Sequence, residues 1–125
     1  ARPLPPLRLA GCSDLETVNS LRRRIACIMW EGVGILRSGD GLARARGEMA
    51  GIQDQLRDGH FHRRILETSN MVNLGDAIAA CAEYRTESRG GHYRTDYPET
   101  DDARWKRHTR LVKDGESFRF LEDLP

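Results

Sequence analysis

Apolar residues recur at three- and four-residue intervals over most of the chain. Leu15, Val18, Leu21, Ile25, Ile28, Met29, Val33 and Leu36 form the first such series, the period of an amphipathic helix. Ser13-Asp14-Leu15-Glu16 reads as a capping box in which Ser13 accepts from the third helical amide and Glu16 reaches back. A helix is therefore predicted over about 14–37. Gly32 and Gly34 fall in its last turns, where each glycine costs up to about 1 kcal/mol relative to alanine; two so close together predict tight helix packing. Ser38-Gly39-Asp40-Gly41 reads as a turn. Leu42, Ala45, Met49, Ile52 and Leu56 predict a second helix over about 41–58, with Gly59 as a cap beyond it. The third is predicted over about 65–88, with Leu66, Val72, Leu74, Ile78, Cys81 and Ala82 toward its buried side. Its small run, Ala77 to Ala82, admits a close neighbour, and Gly90-Gly91 ends it.

The period then changes. His92 to Asp102 is irregular and contains Pro98, and a helical turn is predicted between Ala103 and Thr109, anchored by Trp105. Leu111-Val112-Lys113 and Ser117-Phe118-Arg119-Phe120-Leu121 flank Asp114-Gly115, a two-residue hairpin turn; the hairpin spans about 110–121. The predicted fold is mainly α, a three-helix bundle with a small C-terminal β-hairpin. Residues 1–12 are Pro-rich and predict an extended linker. With no initiator Met at Ala1, the chain is expected to be part of a longer protein. Ile28, Met29 and Trp30 are consecutive and cannot share one helix face. They predict an exposed apolar patch containing Trp30 or Met29, open to self-association; the alternative is Trp30 packed under the hairpin against Phe118 or Phe120.

Composition narrows the class. The 125 residues, with a mean hydropathy of -0.63, suit one domain. The longest apolar run, Ile25 to Trp30, falls far short of the stretch of about 20 residues that spans a bilayer, and no apolar segment suited to a signal peptide follows the amino terminus. Twenty basic residues against nineteen acidic leave +1, without the basic excess of a nucleic-acid module. Only Lys106 and Lys113 are lysines, a skew that codon usage in a GC-rich genome also produces. Cys12, Cys27 and Cys81 are odd in number and widely spaced. Cys27 and Cys81 read as small core residues, and a cytoplasmic setting is expected.

Asn73, Glu87, Ser88, Arg89, Gly90, Gly91, His92, Arg94 and Asp96 form the densest polar constellation. As a site, it offers His92 near neutrality and Arg89 and Arg94 as carboxylate or phosphate clamps. As structure, it is a helix terminus closed by side-chain hydrogen bonds, with Glu87 and Asp96 pairing the arginines. No nucleophile, metal set or phosphate loop accompanies it, which favours the structural reading. His60-x-His62 has a metal-like spacing, and Cys81 or His92 could complete it in space, but no second close ligand pair exists. A polar connection is the better reading. No G-x-G-x-x-G, Walker loop, G-x-S-x-G or H-E-x-x-H occurs.

Two stretches carry a resemblance. Arg85-Thr86-Glu87-Ser88-Arg89-Gly90-Gly91-His92-Tyr93-Arg94-Thr95-Asp96-Tyr97-Pro98-Glu99, with Asp101-Asp102, Trp105 and His108-Thr109, resembles the C-terminal string of the succinate dehydrogenase/fumarate reductase flavoprotein family. Met29-Trp30-Glu31-Gly32-Val33-Gly34-Ile35-Leu36-Arg37 is similar to the M-W-x-x-V-G-I-x-R segment in the first helix of the same domain, and Asn73-Leu74-Gly75-Asp76-Ala77 between them also matches. Met29-Trp30, Tyr93 and Tyr97 resemble the L-aspartate oxidase branch more than the respiratory one. That branch uses FAD to oxidise L-aspartate to iminoaspartate on the way to NAD.

The resemblance implies that FAD and substrate are held by an FAD-binding domain and a capping domain elsewhere in the polypeptide. This segment is then the helical C-terminal domain, without catalytic, cofactor-binding or metal-binding residues of its own. Glu87, Ser88, Arg89, Gly90, His92, Arg94 and Asp96 would serve structure or docking on the FAD-binding domain. Gly91 stands where the family often has alanine. The other readings are the same domain of a succinate dehydrogenase or fumarate reductase, facing an iron–sulfur subunit, and a stand-alone helical interaction module.

Overall fold

The computed structural model describes residues 15–57, 62–115 and 117–121. The linker at 1–12, Ser13 and Asp14 of the capping box, Cys12, Gly59 and His60 lie outside the described residues. Helix α1 is Leu15–Val33, α2 is Gly39–Arg57 and α3 is Arg63–Tyr84; a short helix α4, Asp102–Trp105, follows. The three long helices pack around one core of Val18, Leu21, Ile25 and Ile28 from α1, Leu42, Met49 and Ile52 from α2, and Val72, Ala79 and Ala82 from α3. Strands β3 (Arg110–Asp114) and β4 (Ser117–Leu121) pair antiparallel as the C-terminal hairpin. The fold is mainly α, as the apolar period implies. Among the described residues no helix is long and apolar enough to cross a membrane.

The helices end earlier than their apolar period suggests. α1 stops at Val33, because Leu36–Arg37 form strand β1, which pairs in parallel with β2, Tyr93–Arg94. The Tyr93 amide donates to the Ile35 carbonyl at 3.1 Å and the Thr95 amide to that of Arg37 at 2.8 Å. Leu36 is consequently exposed rather than part of the core stripe. α2 starts at Gly39, since the Ser38 hydroxyl accepts from the Gly41 amide at 3.2 Å and caps it. α3 stops at Tyr84 rather than 88. Arg85 leaves in an extended conformation, and residues 85–88 enter a polar network. In the hairpin Asp114 pairs with Ser117, so the reversal falls one residue later than Asp114-Gly115, with Gly115 at φ +62°.

α3 buries a different face from the one its large residues mark. Ile65, Thr68, Val72, Gly75, Ala79 and Ala82 face the bundle, in steps of three and four. Leu66, Leu74 and Ile78 are exposed. The small side chains decide this: a Cβ on Gly75 would lie 3.0 Å from the Met49 methyl and 3.1 Å from the Met29 sulfur. Gly32 serves the α1–α2 crossing likewise, a Cβ there falling 2.9 Å from that of Ala45.

Cys27 is exposed and Cys81 half-buried, both as free thiols. Cys27 lies two positions past Ile25, on the outer face of α1. Trp30 is 84% exposed and Met29 only partly buried. The hairpin aromatic Phe120 stacks instead on Tyr84, with centroids 3.9 Å apart, and Tyr84 meets Trp105 edge-on at 5.4 Å.

Candidate functional site

Four polar side chains are buried in the described structure, and three of them, Glu87, Ser88 and Arg94, belong to one corner at the end of α3. An ionised group out of contact with water needs its full set of partners, and each of these has one. The Glu87 carboxylate accepts from Arg85 Nε at 2.8 Å, from Arg89 Nε at 3.0 Å and Nη2 at 3.2 Å, and from the Asp101 amide at 2.8 Å. Hydrogen bonds from Arg89, and further ones from Asp101 and Arg85, hold its carboxyl at about 2 against the ordinary 4.5, despite the opposing effect of burial. Arg89 also reaches Asp102 at 2.5 Å, and both carboxylates hold its guanidinium charged.

Arg94 is 2% exposed. Its Nε and Nη2 grip Asp96 at 2.7 Å each, the two-pronged geometry for which arginine is suited. Its Nη1 donates to the carbonyls of Ala82 at 2.9 Å, Glu83 at 3.0 Å and Arg85 at 3.3 Å. These are carbonyls that the end of α3 leaves without helical partners, and the cation sits at the negative end of the helix dipole. Asp96 does the converse, accepting from the Gly39 amide at 3.0 Å at the start of α2. The Arg94 pairing holds the Asp96 carboxyl well below the usual carboxylate range. Ser88 Oγ accepts from the Arg94 amide at 2.9 Å and donates to the Tyr97 carbonyl at 2.7 Å. Gly90 provides the φ of +56° that lets Arg89 and His92 pair back-to-back.

Arg37, on β1, was not among the residues singled out for chemistry. The β1–β2 pairing carries it 55 positions along the sequence to His92. Its Nε donates to the carbonyls of Gly34 at 2.6 Å and Val33 at 3.2 Å, closing α1. Its Nη1 meets His92 Nδ1 at 2.6 Å. A guanidinium only donates, so Nδ1 accepts and the proton sits on Nε2, directed at the Arg85 carbonyl at 3.3 Å. Burial, together with the Arg37, Arg94 and Arg85 charges, pushes His92 below its ordinary value. The imidazole is therefore neutral around pH 7, held between two fixed partners.

The structure does not bring every polar candidate together. Asn73 lies away from the corner, where its side-chain oxygen accepts from Lys113 Nζ at 2.9 Å and ties α3 to the hairpin. His62 caps α3, its Nδ1 accepting from the Arg64 amide at 3.2 Å. Among the described residues no group of three His, Cys, Asp or Glu could hold a metal ion. Trp105 is 5% exposed, ringed by Arg85, Arg104 and Arg107, with its indole nitrogen buried and without a hydrogen-bond partner among the described residues. The corner thus closes the ends of all three long helices.

The fumarate reductase flavoprotein C-terminal family model matches residues 22–121, four-fifths of the chain. The chain belongs to this family. An L-aspartate oxidase from Streptomyces coelicolor is 37% identical over 95 residues, covering 70% of this chain and 16% of that protein. A succinate dehydrogenase flavoprotein subunit from Coxiella burnetii is 31% identical over 113 residues, covering 82% and 19%. An E. coli quinol fumarate reductase shares the fold, with a TM-score of 0.75 at 22% identity over 95% of this chain and 23% of that one. The chain therefore spans about a fifth of the proteins it resembles.

Proposed function

We propose that the chain is the non-catalytic C-terminal helical domain of an FAD-dependent L-aspartate oxidase, a cytoplasmic enzyme that converts L-aspartate to iminoaspartate for NAD synthesis. The observation that carries this reading is the 37% identity to the S. coelicolor oxidase over 70% of this chain.

FAD belongs to the absent FAD-binding domain of the same polypeptide. Among the described residues, the strand-to-helix junction that would have to cradle a pyrophosphate is β1 to α2. Its first amides are taken by Asp96 and by the Ser38 hydroxyl. The residues present do not fit the dinucleotide, and no chemical step is routed through them. Glu87, Ser88, Arg89, Gly90, His92, Arg94 and Asp96 then fix the helix ends, so that the domain packs on the FAD-binding domain as one rigid block.

A second reading is the same domain of a succinate dehydrogenase or fumarate reductase subunit, supported by the C. burnetii subunit, 31% identical over 82% of this chain. Steady-state assays of the longer flavoprotein separate the two. Oxidation of L-aspartate supports the first, whereas turnover of succinate or fumarate without L-aspartate oxidation overturns it in favour of the second.

A further inference from the structure

Arg85, Arg89 and Arg94 each meet a carboxylate at 2.5–3.0 Å. Arg37 meets none. Two of its three nitrogens are spent on the carbonyls of α1 and on His92, and its Nη2 has no partner among the described residues. Burial pushes its own proton affinity down, with nothing to offset it. A half-buried guanidinium without a counter-charge carries a desolvation cost that a carboxylate would relieve.

The space beside it is suited to one. An open cleft of about 370 Å³ is lined by Arg37, Arg85, His92 and Thr109 against the apolar side chains of Ala77 and Ile78, and no acidic residue among the described ones lines it. Such a mixture of apolar wall and a few convergent donors is the usual make-up of a ligand site.

We propose that this cleft is a carboxylate-binding site in which Arg37 is the anchoring cation. Its Nε is held by the α1 carbonyls and its Nη1 by the neutral His92, which leaves Nη2 to meet the ligand with little orientation left to lose. The apolar wall at Ala77 and Ile78 takes the methylene part of the ligand. The carboxylate has two sources of the same chemistry: an Asp or Glu side chain of a protein segment covering this face, or a free short dicarboxylate. The site stands on this chain's own residues, whichever enzyme the longer protein proves to be.

The test is a titration of the purified chain with acetate and with succinate at constant ionic strength, read by NMR at the Arg37 Nε–H and the His92 ring. Both signals are expected to move saturably, with dissociation constants in the millimolar range, while His62 and His108 stay still. Equal affinity for the two ligands marks a single-carboxylate pocket for a side chain. Succinate binding about tenfold tighter marks a free dicarboxylate. Ile78→Glu, a change at a residue 42% exposed, places a carboxylate on the wall; it is expected to keep the fold and weaken acetate binding by about tenfold or more. Arg37→Lys is expected to lose the response. No saturable movement at Arg37 and His92 up to about 100 mM, or an undiminished response in a folded Ile78→Glu, overturns the proposal.

Discussion

Replacing Glu87 by glutamine keeps its shape and removes its charge. The side chain is 0% exposed, and its two oxygens receive four hydrogen bonds, three of them from the Arg85 and Arg89 guanidinium groups. A glutamine amide turns one donor-bearing nitrogen toward those donors and leaves two guanidinium groups short of a counter-charge. The magnitude follows from proton linkage. A carboxyl held at about 2 rather than 4.5 carries about 3 kcal/mol of folding stability, within the range for removing one partner of a buried ion pair. For a domain of this size that is a fall of about 10–20 °C in melting temperature. The folded carboxyl is depressed, so its contribution is fully present above about pH 5 and is lost as pH falls toward about 2. Urea unfolding of wild type and Glu87→Gln from pH 7 to pH 2.5 should therefore show a gap that is constant down to about pH 5 and then closes. A gap below about 0.5 kcal/mol at pH 7, or one that does not change with pH, would refute the reasoning.

Arg94→Ala should be at least as costly as Glu87→Gln, about 3–5 kcal/mol, because it frees Asp96 and three carbonyls of α3. Arg89→Ala, whose guanidinium is 37% exposed, should lower the melting temperature less than either; the three thermal melts give the order. Gly90→Ala forces alanine into φ +56° and should cost about 1 kcal/mol, whereas Gly91→Ala, with nothing within 4 Å of the new Cβ, should be neutral in the same unfolding assay. Gly32→Ala drives a methyl to 2.9 Å from the Ala45 Cβ and should destabilise by about 1–3 kcal/mol through forced separation of α1 and α2.

The bundle was legible because Val18 to Val33 and Leu42 to Leu56 repeat with helical period, and packing obeys that period. The buried face of α3 was misplaced for a physical reason. Leu66, Leu74 and Ile78 are larger than Thr68, Gly75 and Ala79, but close helix approach selects the small row and leaves the large one outside. The premature ends of α1 and α3 were illegible because both are set by contacts across the sequence: the two-residue pairing of Leu36–Arg37 with Tyr93–Arg94, and the grip of Arg94 on the α3 carbonyls. Density of charge alone drew notice to residues 87–96, but the burial of Glu87 depends on Arg85, Arg89 and the Asp101 amide arriving together. Arg37 carried a signal only within the segment that resembles the family; nothing in its local sequence placed it beside His92. Asn73 joined the constellation by residue type and belongs to the hairpin contact instead.

Residues 87–96 are proposed to close the helix ends and to do no chemistry. The measurement that tests this most directly is turnover in the longer flavoprotein carrying Glu87→Gln, assayed with L-aspartate well below its melting transition and set beside its melting temperature. The expected result is a melting temperature lower by about 3 °C, the shift that about 3 kcal/mol produces in a protein several times this size, with kcat and KM of the folded enzyme within about twofold of wild type. An unchanged melting temperature together with a kcat reduced by about tenfold or more would contradict it.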